Sequence, residues 1–148
     1  MPLSRFHPNT KPAWRCAVYT EPLCVAIGRR HGLAGAARIR VAELASDRFV
    51  ISSRAASPAL YDTIIGHCRS GGFEPHSLFE TDLLQTILNL VAEGVGVALV
   101  PQSMSRARLR GVAFKPLVKA PIVLQILLWS SRNRNPCLDG FLRLPQPV

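Results

Sequence analysis

Long apolar runs are missing from this 148-residue chain. The longest, Ile122 to Trp129, is interrupted by Gln125 and falls far short of the ~20 residues that a membrane-spanning helix needs. Met1 to Pro12 carries Arg5 and Lys11 but no apolar stretch, so it does not read as a secretory signal, and a cytoplasmic location is expected. Acidic residues are scarce, nine against 18 basic, for a formal net charge of +9. Such an excess steers polyanions at long range and says nothing about fold. The cations are scattered: Arg29-Arg30, Arg38 and Arg40, Arg106, Arg108 and Arg110, Arg132 and Arg134. They make neither the dense run nor the aromatic-interleaved pattern of an RNA or single-strand binder.

Chemistry-bearing motifs are missing too. Cys16, Cys24, Cys68 and Cys137 are irregularly spaced, with no pair at the two-residue interval of a zinc knuckle or redox motif. They are expected to be small buried or half-buried hydrophobes in a reducing compartment. His7, His31, His67 and His76 lack metal-ligand spacing with one another or with a carboxylate, and His67 is expected on the exposed side of its helix. There is no Gly-x-Ser-x-Gly elbow, Walker lysine loop or paired-carboxylate motif. Gly94-Val95-Gly96 precedes a strand, whereas a dinucleotide fingerprint follows one; Gly94 reads as a helix stop. No catalytic set, metal or cofactor is expected.

What is present is globular: 48% hydrophobic and 18% charged residues, enough for one real core at this length. Trp14 to Tyr19, Leu23 to Ile27, Arg48 to Ser52, Ser77 to Glu80, Val95 to Val100, Val112 to Phe114 and Ile122 to Trp129 read as strands. Val41 to Ala45 is a helical turn. Ser57-Pro58 opens a helix with Leu60, Ile64, Ile65 and Cys68 on one face, stopped at Gly71-Gly72. Leu84, Ile87, Leu88 and Val91 follow helical spacing; Gln102 to Arg108 and Cys137 to Leu144 give shorter helices. Alternating strands and helices predict an α/β fold, a mainly parallel sheet with helices on both faces.

In such sheets ligands bind beyond the carboxyl ends of the strands. Those ends are Ser52-Ser53-Arg54, Glu80-Thr81-Asp82 and Val100-Pro101-Gln102, each followed by a helix start whose unpaired amides suit an anion. Ser52, Ser53 and Arg54, with Ser57 as N-cap, offer hydroxyls, a guanidinium and amides to a carboxylate; an ordinary capped connection is the other reading. Asp82 with Gln85 resembles a capping box, so Thr81 and Asp82 serve either ligand or helix. Leu99, Val100 and Pro101 offer an apolar wall, or plain core, and Gln102 completes that rim.

The strings Glu21-Pro-Leu-Cys-Val-Ala-Ile, Arg30-His-Gly-Leu-Ala, Arg48-Phe-Val-Ile and Ala59-Leu-Tyr-Asp-Thr-Ile are followed by Gln85-Thr-Ile-Leu-Asn-Leu-Val-Ala-Glu-Gly-Val-Gly-Val-Ala-Leu-Val-Pro. Val112-Ala-Phe-Lys-Pro-Leu, Leu128-Trp129 and Pro136 to Leu144 continue the pattern. In that order and spacing they resemble the effector-binding domain of LysR-type transcription regulators, over about Tyr19 to Leu144. The resemblance implies a domain like a type 2 periplasmic binding protein: two α/β subdomains joined by crossing strands, with a small effector in the cleft and contacts in the Ser52–Arg54 loop. It also implies a winged helix-turn-helix head, a linker helix and half of subdomain one ahead of the matched region, none of which fits into Met1 to Val18.

The division implied is an irregular leader over 1–18, subdomain two over 19–117, and a returning segment of subdomain one over 118–148. Specific DNA binding by this chain alone is not expected, nor is a membrane partner. The expected function is binding of a small organic carboxylate or aromatic effector without catalysis. The alternatives are an interaction protein that pairs with itself or with intact regulators and modulates transcription without sensing, and salt-sensitive binding of polyanions. A strand with bare edges invites pairing, so a homodimer through 121–129, with Trp14 to Tyr19 as a partner strand, is expected.

Overall fold

Two apolar segments that read as separate strands form one. Ala13–Gly28 is a single 16-residue strand, β2, in the computed structural model, which describes residues 4–6, 13–130 and 132–142. The chain divides into two compact units, one of residues 22–123 and one of residues 1–21 with 124–148.

In the larger unit the inner strands are apolar on both faces. Along β2, Leu23, Val25 and Ile27 enter one cluster with Ile64 and Cys68 of α1 (Pro58–Ser70). Cys24 and Ala26 enter a second with Ile87, Leu88 and Val91 of α2 (Leu84–Ala92). β3 (Arg48–Ser52) divides likewise, Phe49 and Ile51 against Val50, and β5 (Ala98–Pro101) places Leu99 against Ala98 and Val100. The two-residue period of a strand thus feeds two cores, with one helix on each face. Each fully buried Leu, Ile or Val contributes on the order of 2 kcal/mol.

β3 pairs in parallel with β4 (His76–Thr81), Ser52 opposite Thr81. On its other side the Val50 amide donates to the Val97 carbonyl (2.9 Å) and the Val97 amide to Arg48 (2.8 Å), in parallel again. β2 runs antiparallel to β5 and to β6 (Val112–Pro116). The order across this unit is therefore β4-β3-β5-β2-β6. 3-10 turns cover Gly32–Gly35, Val41–Leu44 and Gln102–Ala107.

In the smaller unit β1 (Ser4–Phe6) pairs antiparallel with the start of β2, so strand occupies part of the expected irregular leader. β7 (Ile122–Ser130) also pairs with β2, and α3 spans Pro136–Leu142. Gln125 donates to Glu21, 3.3 Å away.

Most ladders are thus antiparallel, which corrects the expected mainly parallel sheet: β2 is antiparallel to β1, β5 and β6. The cause is β2 itself, which runs against its neighbours without a crossover helix. An apolar run buried on both faces has the same pattern in either direction, so the residues did not betray it. No helix among the described residues is long and apolar enough to cross a membrane.

Candidate functional site

The carboxyl ends of β3 and β4 are bound together at the predicted residues. The Ser53 amide donates to the Thr81 carbonyl (3.1 Å), and the Ser53 hydroxyl makes a short hydrogen bond to an Asp82 carboxylate oxygen. The same hydroxyl accepts from the Ala56 amide at 3.1 Å, and the Ser57 amide donates to the Ser53 carbonyl at 3.1 Å. Ser53 is therefore the hub of this rim, joining two loops and shaping the entry to α1. Ser52, just inside, is buried at 4% exposure and belongs to the core wall.

Arg54 projects outward at 67% side-chain exposure and pairs with Asp62, Nε to Oδ1 at 3.1 Å. A pair this exposed contributes little to stability, and a planar guanidinium with five donors retains some for a ligand. Pro101 closes β5 opposite Leu23, buried, with exposed Gln102 opening the next turn. Because Val97 lies beside Phe49 in parallel, Pro101 and Gln102 reach the same pole as Ser53. Chemically, this rim presents a guanidinium, a carboxylate and hydroxyls around an apolar strand end.

Two expected caps are not formed. Ser57 holds the N-cap position before Pro58, but its side chain makes no capping bond; the Ser53 hydroxyl serves the neighbouring amide instead. The N-cap of α2 is Leu83, without a side-chain bond, so Asp82 and Gln85 are no capping box. Asp82 is taken by Ser53, and Gln85 donates to Asn89 at 3.4 Å. Thr81 accepts from the Leu83 amide at 3.4 Å. A contact between residues 29 positions apart had no signature in the local spacing.

A cavity of about 680 Å³ opens at the other pole, where β3, β5 and β6 begin, lined among others by Arg30, His31, Asp47, Arg48, Glu93 and Gly96. There the Leu33 amide donates to His31 Nδ1 (3.1 Å), which puts the ring proton on Nε2, and Nε2 donates to Asp47 at 3.0 Å. This pair escaped the sequence, in which His31 and Asp47 are 16 residues apart. His67, expected to be exposed, is half-buried, and its Nε2 lacks a hydrogen-bond partner among the described residues. Burial holds its pKa below the usual histidine value. Burial, with the Glu74 charge second, pushes the Cys68 thiol up to about 11. Cys24 is buried, Cys137 is exposed against expectation, and the Cys16 side chain lies outside the described residues. Among the described residues no three His, Cys, Asp or Glu side chains gather as metal ligands.

Known proteins align with this arrangement over most of its length. The model of the LysR substrate binding domain matches residues 5–144. The HTH-type transcriptional regulator IlvR of Caulobacter vibrioides is 33% identical over 125 residues, 84% of this chain and 42% of that protein. The solved LysR family transcriptional regulator CbnR superposes with a TM-score of 0.74 at 23% identity, covering 95% of this chain and 49% of that one. The BenM effector binding domain, solved with its effector benzoate, gives 0.63 at 19% identity, covering 92% of this chain and 63% of that one. The matched relatives are transcription regulators, not enzymes, and the chain spans under half of the length of IlvR.

Proposed function

The chain belongs to the LysR substrate-binding domain family, and from that premise we propose that it binds a small organic acid at the rim formed by Ser53, Arg54, Asp82 and Gln102. The observation that carries this reading is the fastening of two strand ends through Ser53, which sets Asp82 beside the helix entry that bears Arg54. A carboxylate takes the guanidinium and the helix-entry amides. A hydroxyl or amino group on the same ligand donates to Asp82. Pro101 gives its body an apolar wall. Benzoate in the BenM domain supports the aromatic carboxylate as the first class to try. In this reading residues 19–117 act as the family's subdomain two, 118–148 return to subdomain one, and recognition of specific DNA is left to other parts of a full regulator.

The test is calorimetric titration of the chain with benzoate and with aliphatic carboxylates. Arg54→Ala and Ser53→Ala are each expected to weaken binding at least tenfold, since a charge-assisted hydrogen bond contributes about 1.5–3 kcal/mol. Binding that both variants leave unchanged would place the ligand elsewhere.

The second reading, an interaction module that pairs with itself, is favoured by β7. Its alternate residues Leu124 and Ile126 are 55% and 43% exposed. Large apolar side chains on one side of a strand are what a second copy would cover.

A further inference from the structure

β6 is the outer strand of its sheet, and its free edge lies in a groove of about 610 Å³ lined by side chains from both sheet faces. Ala34 borders it on the α1 side. Leu109, from the turn that precedes β6, borders it on the other, and Ser105 and Arg108 complete the lining. The ionisable side chains of the lining are Arg29, Arg108 and Lys115, without a carboxylate among them. Among the described residues the ion-paired arginines are Arg40, Arg54 and Arg69, so these three cations face the groove unneutralised.

The backbone adds a donor. The Arg29 amide donates to the Gly111 carbonyl at 2.8 Å, and Ile27 stands opposite Ala113. By strand alternation, residues 113 and 115 turn their backbone groups to β2, and residues 112, 114 and 116 turn theirs to the free edge. The Val112 amide is used by Leu109 (3.4 Å) and the Pro116 carbonyl by Ile39 (3.0 Å). Between them, the amide and carbonyl of Phe114 have no protein partner among the described residues. Arg108 holds φ 45° and ψ 40°, the left-handed region that glycine occupies more readily.

We propose that this groove is a second ligand site, separate from the Ser53 rim, for a phosphate mounted on an apolar body, such as an aryl phosphate. Arg29, Arg108 and Lys115 hold the anion, the Ser105 hydroxyl and the Phe114 amide hydrogen-bond it, and Leu109 with the half-buried Phe114 packs against the body. The free Phe114 carbonyl takes a hydroxyl or amino group of the ligand. The volume suits a compound of this size, since small-molecule sites span about 300–1,000 Å³.

Phenyl phosphate titrated into the 15N-labelled chain at about 150 mM salt is the test, with inorganic phosphate and heparin as separate arms. The expected result is saturable 1:1 binding that shifts the amides of residues 105–115, tighter for phenyl phosphate than for inorganic phosphate. It should be weakened at least tenfold in R108A/K115A and left within twofold in R54A. Arg108 is exposed and Lys115 half-buried; R108K, which keeps the charge, should restore part of the affinity if the double variant proves poorly folded. Shifts centred on residues 53–57 and 81–82, or equal binding by the double variant, would overturn the proposal. So would heparin binding that salt abolishes without saturable phenyl phosphate binding, which would mark a diffuse polyanion surface.

Discussion

Gly96→Ala is a direct probe of how the two parts of the larger unit's sheet are joined. An added Cβ would stand 2.5 Å from the Arg48 carbonyl oxygen and 3.1 Å from its carbon, where real Cβ contacts below 3.0 Å are essentially never seen. The obstacle is backbone, so no side-chain rotation relieves it, and β5 must retreat from β3. The bonds at risk are those between Val97 and residues 48 and 50, of 2.8 and 2.9 Å. Losing two net hydrogen bonds costs about 1 kcal/mol each, and any group left buried and unpaired about 1–3 kcal/mol more. We expect a loss of about 2–4 kcal/mol, which at ~2–4 °C per kcal/mol lowers Tm by about 5–15 °C. Gly66→Ala is the internal comparison: it lies within α1, and an added Cβ meets nothing within 4 Å. That change should stabilise the chain by about 0.5–1 kcal/mol. Thermal and urea unfolding followed by circular dichroism reads both. A Gly96→Ala protein melting within about 1 °C of the parent would refute the close approach of the two strands.

Other consequences are open to simpler assays. In a Cys16→Ser, Cys137→Ser background, Cys24 and Cys68 should react with a thiol reagent at pH 8 only after unfolding; prompt labelling would contradict their burial. His67 is held below its unfolded pKa, so the folded chain binds its proton less readily than the unfolded one. Its contribution is complete above about pH 6.5 and is lost as pH falls through the folded value. His67→Gln should therefore flatten the decline in Tm between about pH 7 and 5, and an unchanged slope would exclude the histidine as its cause. Leu124→Asp should convert a dimer at tens of micromolar into a monomer by sedimentation velocity; a monomeric parent would count against the β7 contact.

Local elements were legible where side-chain period and capping agree. Arg48–Ser52 was bounded from its β-branched and aromatic run, and α1 from Ser57-Pro58 and Gly71-Gly72. The joining of Trp14–Tyr19 and Leu23–Ile27 into β2 was hidden by Pro22, and strand direction by burial on both faces. Positions at the rim were legible because strand order places Ser53, Asp82 and Pro101 at one pole. Partners were not: Ser53 finds Asp82, and His31 finds Asp47, through tertiary contacts. The groove at β6 was equally hidden. Arg29 is far along the chain from Arg108 and Lys115, and only the Arg29-Arg30 and Arg106-x-Arg108-x-Arg110 pattern marked a local excess of charge.

Whether the Ser53–Arg54 rim senses a small organic acid is read by a thermal-shift screen of aromatic and aliphatic carboxylates on the parent and on Arg54→Ala. A ligand at ~100 times its Kd adds about 2.7 kcal/mol, or roughly 5–10 °C for a domain of this size. Such a rise is expected with one chemical class, and its disappearance in Arg54→Ala. No rise with any carboxylate, or one that Arg54→Ala leaves in place, would contradict it.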